Sequence, residues 1–224
     1  MRLGLSRWSA PAAAIALWVA SSLVPVTVAV AAVSYSGRAF GAKVILVNPQ
    51  PNVLVFSDTG DLPAAGGSLS ATLLTIALGN TLSSHTISAS TSGSGGVAQS
   101  SAHQEQLVAF PGQPAQLTAD VVEAHSQAVC SGAQGSSVIV NLTFGGNSVL
   151  VSGQPNQTVT IANVATLVIN EQLTTPGDPN ITVNALHLTL GTGEQVILSS
   201  AHSDIVCPTP TRSTSWARIK SIYR

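Results

Sequence analysis

Two stretches of this 224-residue chain gather the residue types that do chemistry: Ala124-His125-Ser126-Gln127-Ala128-Val129-Cys130 and Ala201-His202-Ser203-Asp204-Ile205-Val206-Cys207. Each sets a histidine five residues before one of the chain's two cysteines, with a carboxylate close by, Glu123 in the first and Asp204 in the second. Imidazole and thiolate are ordinary zinc ligands, so a two-His, two-Cys site is one reading. Each stretch also closes a long run of apolar and small residues that reads as a strand, where side chains alternate between faces. A separation of five then turns each His away from its own Cys. A disulfide needs only the cysteines, and two cysteines allow one pairing, Cys130–Cys207. We expect that bridge and no metal site. Joining positions 77 residues apart would stabilise the fold by about 4 kcal/mol through loop entropy.

The same alternation groups Cys207 with Ile205, Ser203, Ala201, Ser199 and Ile197, and Cys130 with Ala128, Ser126, Ala124 and Val122. Two such small-residue faces can approach as closely as a disulfide requires. The opposite faces carry Glu123 with His125, and His202 with Asp204. If the two strands are adjacent and in register, these four make a shared His/acid cluster, titrating near about pH 6 or taking a cation. Otherwise they are a solvated polar face.

Asp58-Thr59-Gly60, after the apolar run 53–56, resembles the catalytic loop of aspartic proteases. That chemistry needs two carboxylates sharing one proton. The chain has no second such loop, and Asp61 stands where the dimeric enzymes place a small residue. Asp, Thr and Gly are also ordinary turn formers. There is no Gly-x-Ser-x-Gly elbow, no HExxH and no phosphate-binding loop with its lysine. A hydrolase built on His125, His202 and nearby acids is the weakest of three readings, and we expect no catalytic residue and no cofactor.

The elements that must position these residues are strands. Val, Ala, Leu, Ser and Thr dominate, with 19 Gly and 12 Pro and only 8% charged residues, a composition suited to short strands joined by tight turns. Strands are expected at 34–40 and 42–47 on either side of Gly41, then at 53–56, 68–78, 85–90 and 97–102. Others are expected at 116–130, 138–144, 149–151, 157–161, 166–173, 181–190 and 194–207. A turn cluster falls at 48–52. No amphipathic helix is evident. Roughly a dozen strands read as one sandwich-like or barrel-like all-β domain over 32–207.

Residues 1–31 read as a signal peptide: Arg2 and Arg7, an apolar run, then Ala29-Val30-Ala31, with cleavage expected between Ala31 and Ala32. Residues 208–224 read as a disordered basic tail. Between leader and tail, Arg38 and Lys43 oppose nine carboxylates, a net of −7. An acidic body is a poor nucleic-acid surface, which needs clustered Lys and Arg.

Several segments in order resemble bacterial choice-of-anchor proteins of type P. They include Ser36-Gly37-Arg38-Ala39-Phe40-Gly41-Ala42, the loop from Asp58-Thr59-Gly60 to Gly66-Gly67 with Leu69-Ser70-Ala71-Thr72-Leu73, and residues 92–102. Further on come Thr118-Ala119-Asp120-Val121-Val122-Glu123-Ala124, Pro155-Asn156-Gln157-Thr158-Val159, Asn170-Glu171-Gln172 and residues 181–190 and 201–204. The resemblance spans roughly 34–207. It implies an exported body of unassigned activity, with a turn at Asp58-Thr59-Gly60. No LPxTG-like motif or hydrophobic span follows Cys207, so we expect a released or loosely surface-associated protein, without a transmembrane anchor in the mature chain. The leading expectation is a secreted or cell-surface β-scaffold, structural or adhesive, touching cell-envelope polymers. A carbohydrate- or cation-binding module is the alternative, set back by the shortage of aromatic residues that sugars stack on.

Overall fold

The computed structural model describes residues 32–47 and 52–208. The expected leader, the turn at 48–51 and the tail from 209 lie outside them, as does Ala31 of the expected cleavage site.

Thirteen strands form: β1 Ser34–Leu46, β2 Asn52–Asp58, β3 Gly67–Leu78, β4 Leu82–Ser94, β5 Val97–Ala109, β6 Leu117–Val129 and β7 Gly132–Val140. They continue as β8 Thr143–Phe144, β9 Asn147–Ser148, β10 Gln157–Ile161, β11 Ala165–Leu173, β12 Asn180–Leu190 and β13 Gln195–Val206. The first sheet runs β10-β11-β12-β13-β1-β2 and the second β3-β4-β5-β6-β8-β9, with β7 also paired to β6. Every pairing is antiparallel. The two sheets pack face to face, so the all-β expectation holds as a sandwich.

Several expectations fail for local reasons. Gly41 does not separate two strands but sits inside β1. Strand β7 starts at Gly132, in a Gly/Ser/Gln run without apolar alternation to announce it. The run 149–151 is not a strand, and the hairpin over Gly145-Gly146 shrinks to the two-residue strands β8 and β9.

Gly41 marks a feature that crosses the whole sheet. In the register of the first sheet, Gly41 stands level with Ser199 and Ser57, and beyond them come Ala185 and Asn170. Alternate members of this line, Ser57, Ser199 and Asn170, have φ of 52°, 50° and 51°. Along each strand the inward parity reverses there. In β13 the buried residues are Val196 and Leu198 on one side of the line, then Ala201, Ser203 and Ile205 on the other. Ile197 therefore faces outward, away from the Cys207 face to which unbroken alternation assigned it. A matching line crosses the second sheet at Thr86, Gln106 and Asn141, with φ of 45°, 49° and 55°, and parity reverses in β6 between Ala119 and Val122.

Positive φ costs a non-glycine residue about 1–2 kcal/mol. Buried side chains along the line bond across the sandwich. The Ser57 hydroxyl donates to the Ala71 and Ile87 carbonyls across the sandwich, at 3.0 and 3.3 Å. Ser199 Oγ donates to the Val122 carbonyl at 2.9 Å, and Gln104 Nε2 to the Gly41 carbonyl at 3.2 Å and Ser199 Oγ at 3.3 Å. The line is a polar seam stitching one sheet to the other.

The seam divides the interior by side-chain size. On one side lies the large apolar core, with Leu82, Leu107, Leu117, Leu167, Leu188 and Leu198 fully buried. On the other the inward faces are mostly small, among them Gly37, Ala39, Ala89, Thr91, Ser100 and Ser126, with Ile181, Val183 and Ile205 the larger buried side chains. Ala124, Ala201, Ile181 and Val183 join the large core, and the remaining apolar residues make small clusters. Stacked sheets ordinarily sit about 10 Å apart. Here Ser100 Oγ donates directly to the His202 carbonyl of the facing sheet at 2.6 Å, and Ser126 Oγ lies 2.8 Å from Ser203 Oγ. A Cβ on Gly37 would meet Thr91 Oγ1 at 2.4 Å. The Cys130–Cys207 disulfide, with Cα atoms 5.7 Å apart, closes this narrow end.

Replacing both cysteines by alanine is expected to lower the unfolding free energy by about 4 kcal/mol, read from urea titrations without reductant. A loss below about 1 kcal/mol would mean that the hydroxyl contacts already hold the narrow end. Gly37→Val is expected to cost about 1–3 kcal/mol by overpacking, and a denaturation midpoint equal to wild type would contradict the close approach.

Candidate functional site

The disulfide forms as the sequence suggests, and the shared His/acid cluster does not. Strands β6 and β13 belong to different sheets and meet through their inward faces, so Glu123 and His125 lie on one outer face of the sandwich, His202 and Asp204 on the other. His202 Nδ1 is 2.9 Å from the Thr182 hydroxyl.

Glu123 instead gathers partners from its own sheet. His103 of β5, directly opposite it in register, places Nδ1 2.8 Å from Glu123 Oε1 and Nε2 3.3 Å from Glu105 Oε1. His125 Nε2 is 3.3 Å from Glu123 Oε2. Partial burial pushes the Glu123 carboxyl upward, but hydrogen bonds from His103 and His125 outweigh it and hold the group below its ordinary value. The His-x-Glu of 103–105 and the Glu-x-His of 123–125 are visible as same-face pairs in the sequence. Only the β5–β6 register shows that they adjoin. Among the described residues, no three His, Cys, Asp or Glu side chains converge as a metal-binding set.

Asp58 is committed to structure. Arg38 grips it with a two-pronged fork, Nε to Oδ1 at 2.9 Å and Nη2 to Oδ2. That fork holds the Asp58 carboxyl below its ordinary value. The Gly60 N–H donates to Asp58 Oδ1 at 3.0 Å and the Ala39 N–H to Thr59 Oγ1 at 3.0 Å. A carboxylate locked to a guanidinium cannot share a proton with a second acid, so Asp-Thr-Gly is here a turn that ties β2 to β1.

A second histidine–carboxylate pair, absent from the sequence reading, lies on the first sheet. His187 Nδ1 is 2.9 Å from Glu171 Oε2, which also accepts from Asn184 Nδ2 at 2.6 Å. The hydrogen bond to Glu171 raises the His187 pKa, and that from His187 lowers the Glu171 pKa, in each case against partial burial.

A concavity of about 620 Å³ lies on the outer face of the second sheet and is lined by Ser90, Gln99, Ser101, His125, Gln127 and Gln134, among others. Strand register arranges this face in rows. One runs Ser68, Ser92, Gln99, Gln127, Gln134, and the next Ser70, Ser90, Ser101, His125, Ser136. The third holds Thr72, Ser88, His103, Glu123 and Val138. The two upper rows present hydroxyl, amide and imidazole groups without a carboxylate, Lys, Arg, Phe, Tyr or Trp. Ser90 Oγ lies 2.9 Å from Ser101 Oγ, and Gln134 Nε2 donates to Gln127 Oε1 at 2.8 Å. Such rows offer donors and acceptors in a repeating grid, set by the roughly 4.8 Å strand spacing.

These features define the class: an antiparallel two-sheet β-sandwich with one disulfide and, on the outer face of its second sheet, two rows of uncharged polar residues. No protein-family model, curated protein or solved structure matches the chain.

The Glu171–His187 pair gives stability a pH signature. His187's raised pKa contributes stability that is full below its ordinary 6.5 and lost as pH rises through the raised value. Glu171's depressed pKa contributes stability present above its ordinary 4.5 and lost as pH falls through the lowered value. The stability difference between wild type and His187→Gln is therefore expected to peak between those two ordinary values. Urea titrations across pH check this, and a pH-independent difference would show that the pair is not coupled.

Proposed function

We propose that the protein is an exported, non-enzymatic β-scaffold that holds a hydroxyl-rich, uncharged polymer of the cell exterior, a polysaccharide, against the outer face of its second sheet. The observation that carries this reading is the grid of Ser and Gln rows around the 620 Å³ concavity. Hydroxyls and amides both donate and accept, which suits sugar hydroxyls, and the absence of Lys and Arg gives anionic ligands nothing to pair with. The disulfide points to an oxidising, non-cytoplasmic compartment. The resemblance to exported choice-of-anchor bodies agrees with export.

Each hydrogen bond contributes only about 0.5–1.5 kcal/mol net, and the two rows have no Phe, Tyr or Trp ring for sugars to stack on. Affinity must therefore accumulate over many contacts, which favours extended polymers over monosaccharides. In a panel of insoluble and soluble polysaccharides, neutral polymers are expected to retain the protein and acidic ones to do so poorly, given the body's net charge of −7. The triple variant Gln99→Ala/Gln127→Ala/Gln134→Ala is expected to lose at least about tenfold in retention, the worth of roughly 1.4 kcal/mol. A blank panel, or a triple variant that binds as wild type does, overturns the proposal.

A further inference from the structure

Strand β3 is a long sheet edge, approached among the described residues by β2, whose Ser57 caps one of its carbonyls. It pairs with β4 alone. On its other side, short of the closing turn, the hydrogen bond made among the described residues is the one from Ser57 Oγ to the Ala71 carbonyl. Soluble β-proteins blunt such edges with charge, proline, bulges, shortness or a cover, because an open ladder recruits another strand. β3 spans 12 residues, Gly-Ser-Leu-Ser-Ala-Thr-Leu-Leu-Thr-Ile-Ala-Leu, with neither a charge nor a proline. Leu74, in mid-strand, is 80% exposed and Leu73 38%. The other edges are managed. β2 ends in Asp58, locked to Arg38, and β10 has only five residues. On β7 the Gly135 carbonyl accepts from Gln172 Nε2 of the facing sheet at 2.9 Å.

We propose that β3 is a self-association edge, pairing antiparallel with β3 of a second copy of this chain. Charge selects that occupant. Two copies of a body carrying −7 repel one another over most of their surface, and β3 offers a 12-residue approach without a carboxylate on either side. A basic partner would be drawn instead to the carboxylates of the outer faces. A two-fold axis normal to the sheet keeps both polar outer faces on the same side, so a dimer presents two copies of that face to one extended polymer, which converts weak contacts into avidity. The edge pairing itself does not depend on what that polymer is.

Sedimentation equilibrium of the full disulfide-bonded protein, from low to high micromolar concentration, is expected to show a monomer–dimer equilibrium. Leu74→Lys, which puts a charge on the uncharged edge of both copies, is expected to weaken association at least about tenfold. Val138→Lys on the β7 edge is expected to leave it unchanged. Should Leu74→Lys fail to fold by far-UV circular dichroism, hydrogen exchange on wild type decides, with β3 amides expected to gain protection as concentration rises. A wild type that stays monomeric, a folded Leu74→Lys that dimerises normally, loss of the dimer in Val138→Lys, or β3 amides indifferent to concentration would each overturn the inference. A dimer that ignores polysaccharides would instead sink the ligand reading and leave the edge standing.

Discussion

The buried hydrogen bonds that Gln104, Ser199 and Ser57 make across the sandwich are what the rest of the fold depends on. They sit where the strands reverse their inward parity, with Ser57 and Ser199 themselves held at positive φ, and they pair with backbone carbonyls of the facing sheet. Without them the seam would leave polar groups buried and unpaired, at about 1–3 kcal/mol each. With them, a single strand can serve two interiors of opposite phase.

That division explains the layout of large and small residues. Leu, Ile and Phe fill one end, where burial of apolar surface supplies most of the stabilisation. Gly, Ala and Ser line the other, where they cannot bury much but let the sheets close until hydroxyls reach the facing backbone. A covalent bridge belongs at that end, because the hydrophobic effect is weakest there. The narrow end is also where the outer face of the second sheet carries its Ser and Gln rows, so the groove rests on strands held by hydroxyl contacts and a disulfide.

The histidines divide the same way. Each carboxylate-paired histidine is set by register within its sheet: His103 and His125 around Glu123, His187 on Glu171. Parity analysis separated histidines from cysteines correctly, because both reversals lie outside the stretches 125–130 and 202–207. It failed at Ile197, which lies beyond Ser199. The alternation rule is local, and one residue at positive φ resets it.

Strand positions, turns and the only possible disulfide partner were legible in the chain, since apolar alternation, Gly and Pro punctuation and a cysteine count of two act over a few residues or admit one answer. Asp58-Thr59-Gly60 was legible as a turn, but not Arg38 as the reason. What the tertiary structure alone decided is which strands adjoin and which merely face each other. That put β6 and β13 in opposite sheets, broke the group of Glu123, His125, His202 and Asp204 in two, and brought His103 to Glu123 in its place. Strand order and register are cooperative properties of the whole sandwich, chosen by the burial of all faces at once, and no short stretch of sequence carries them.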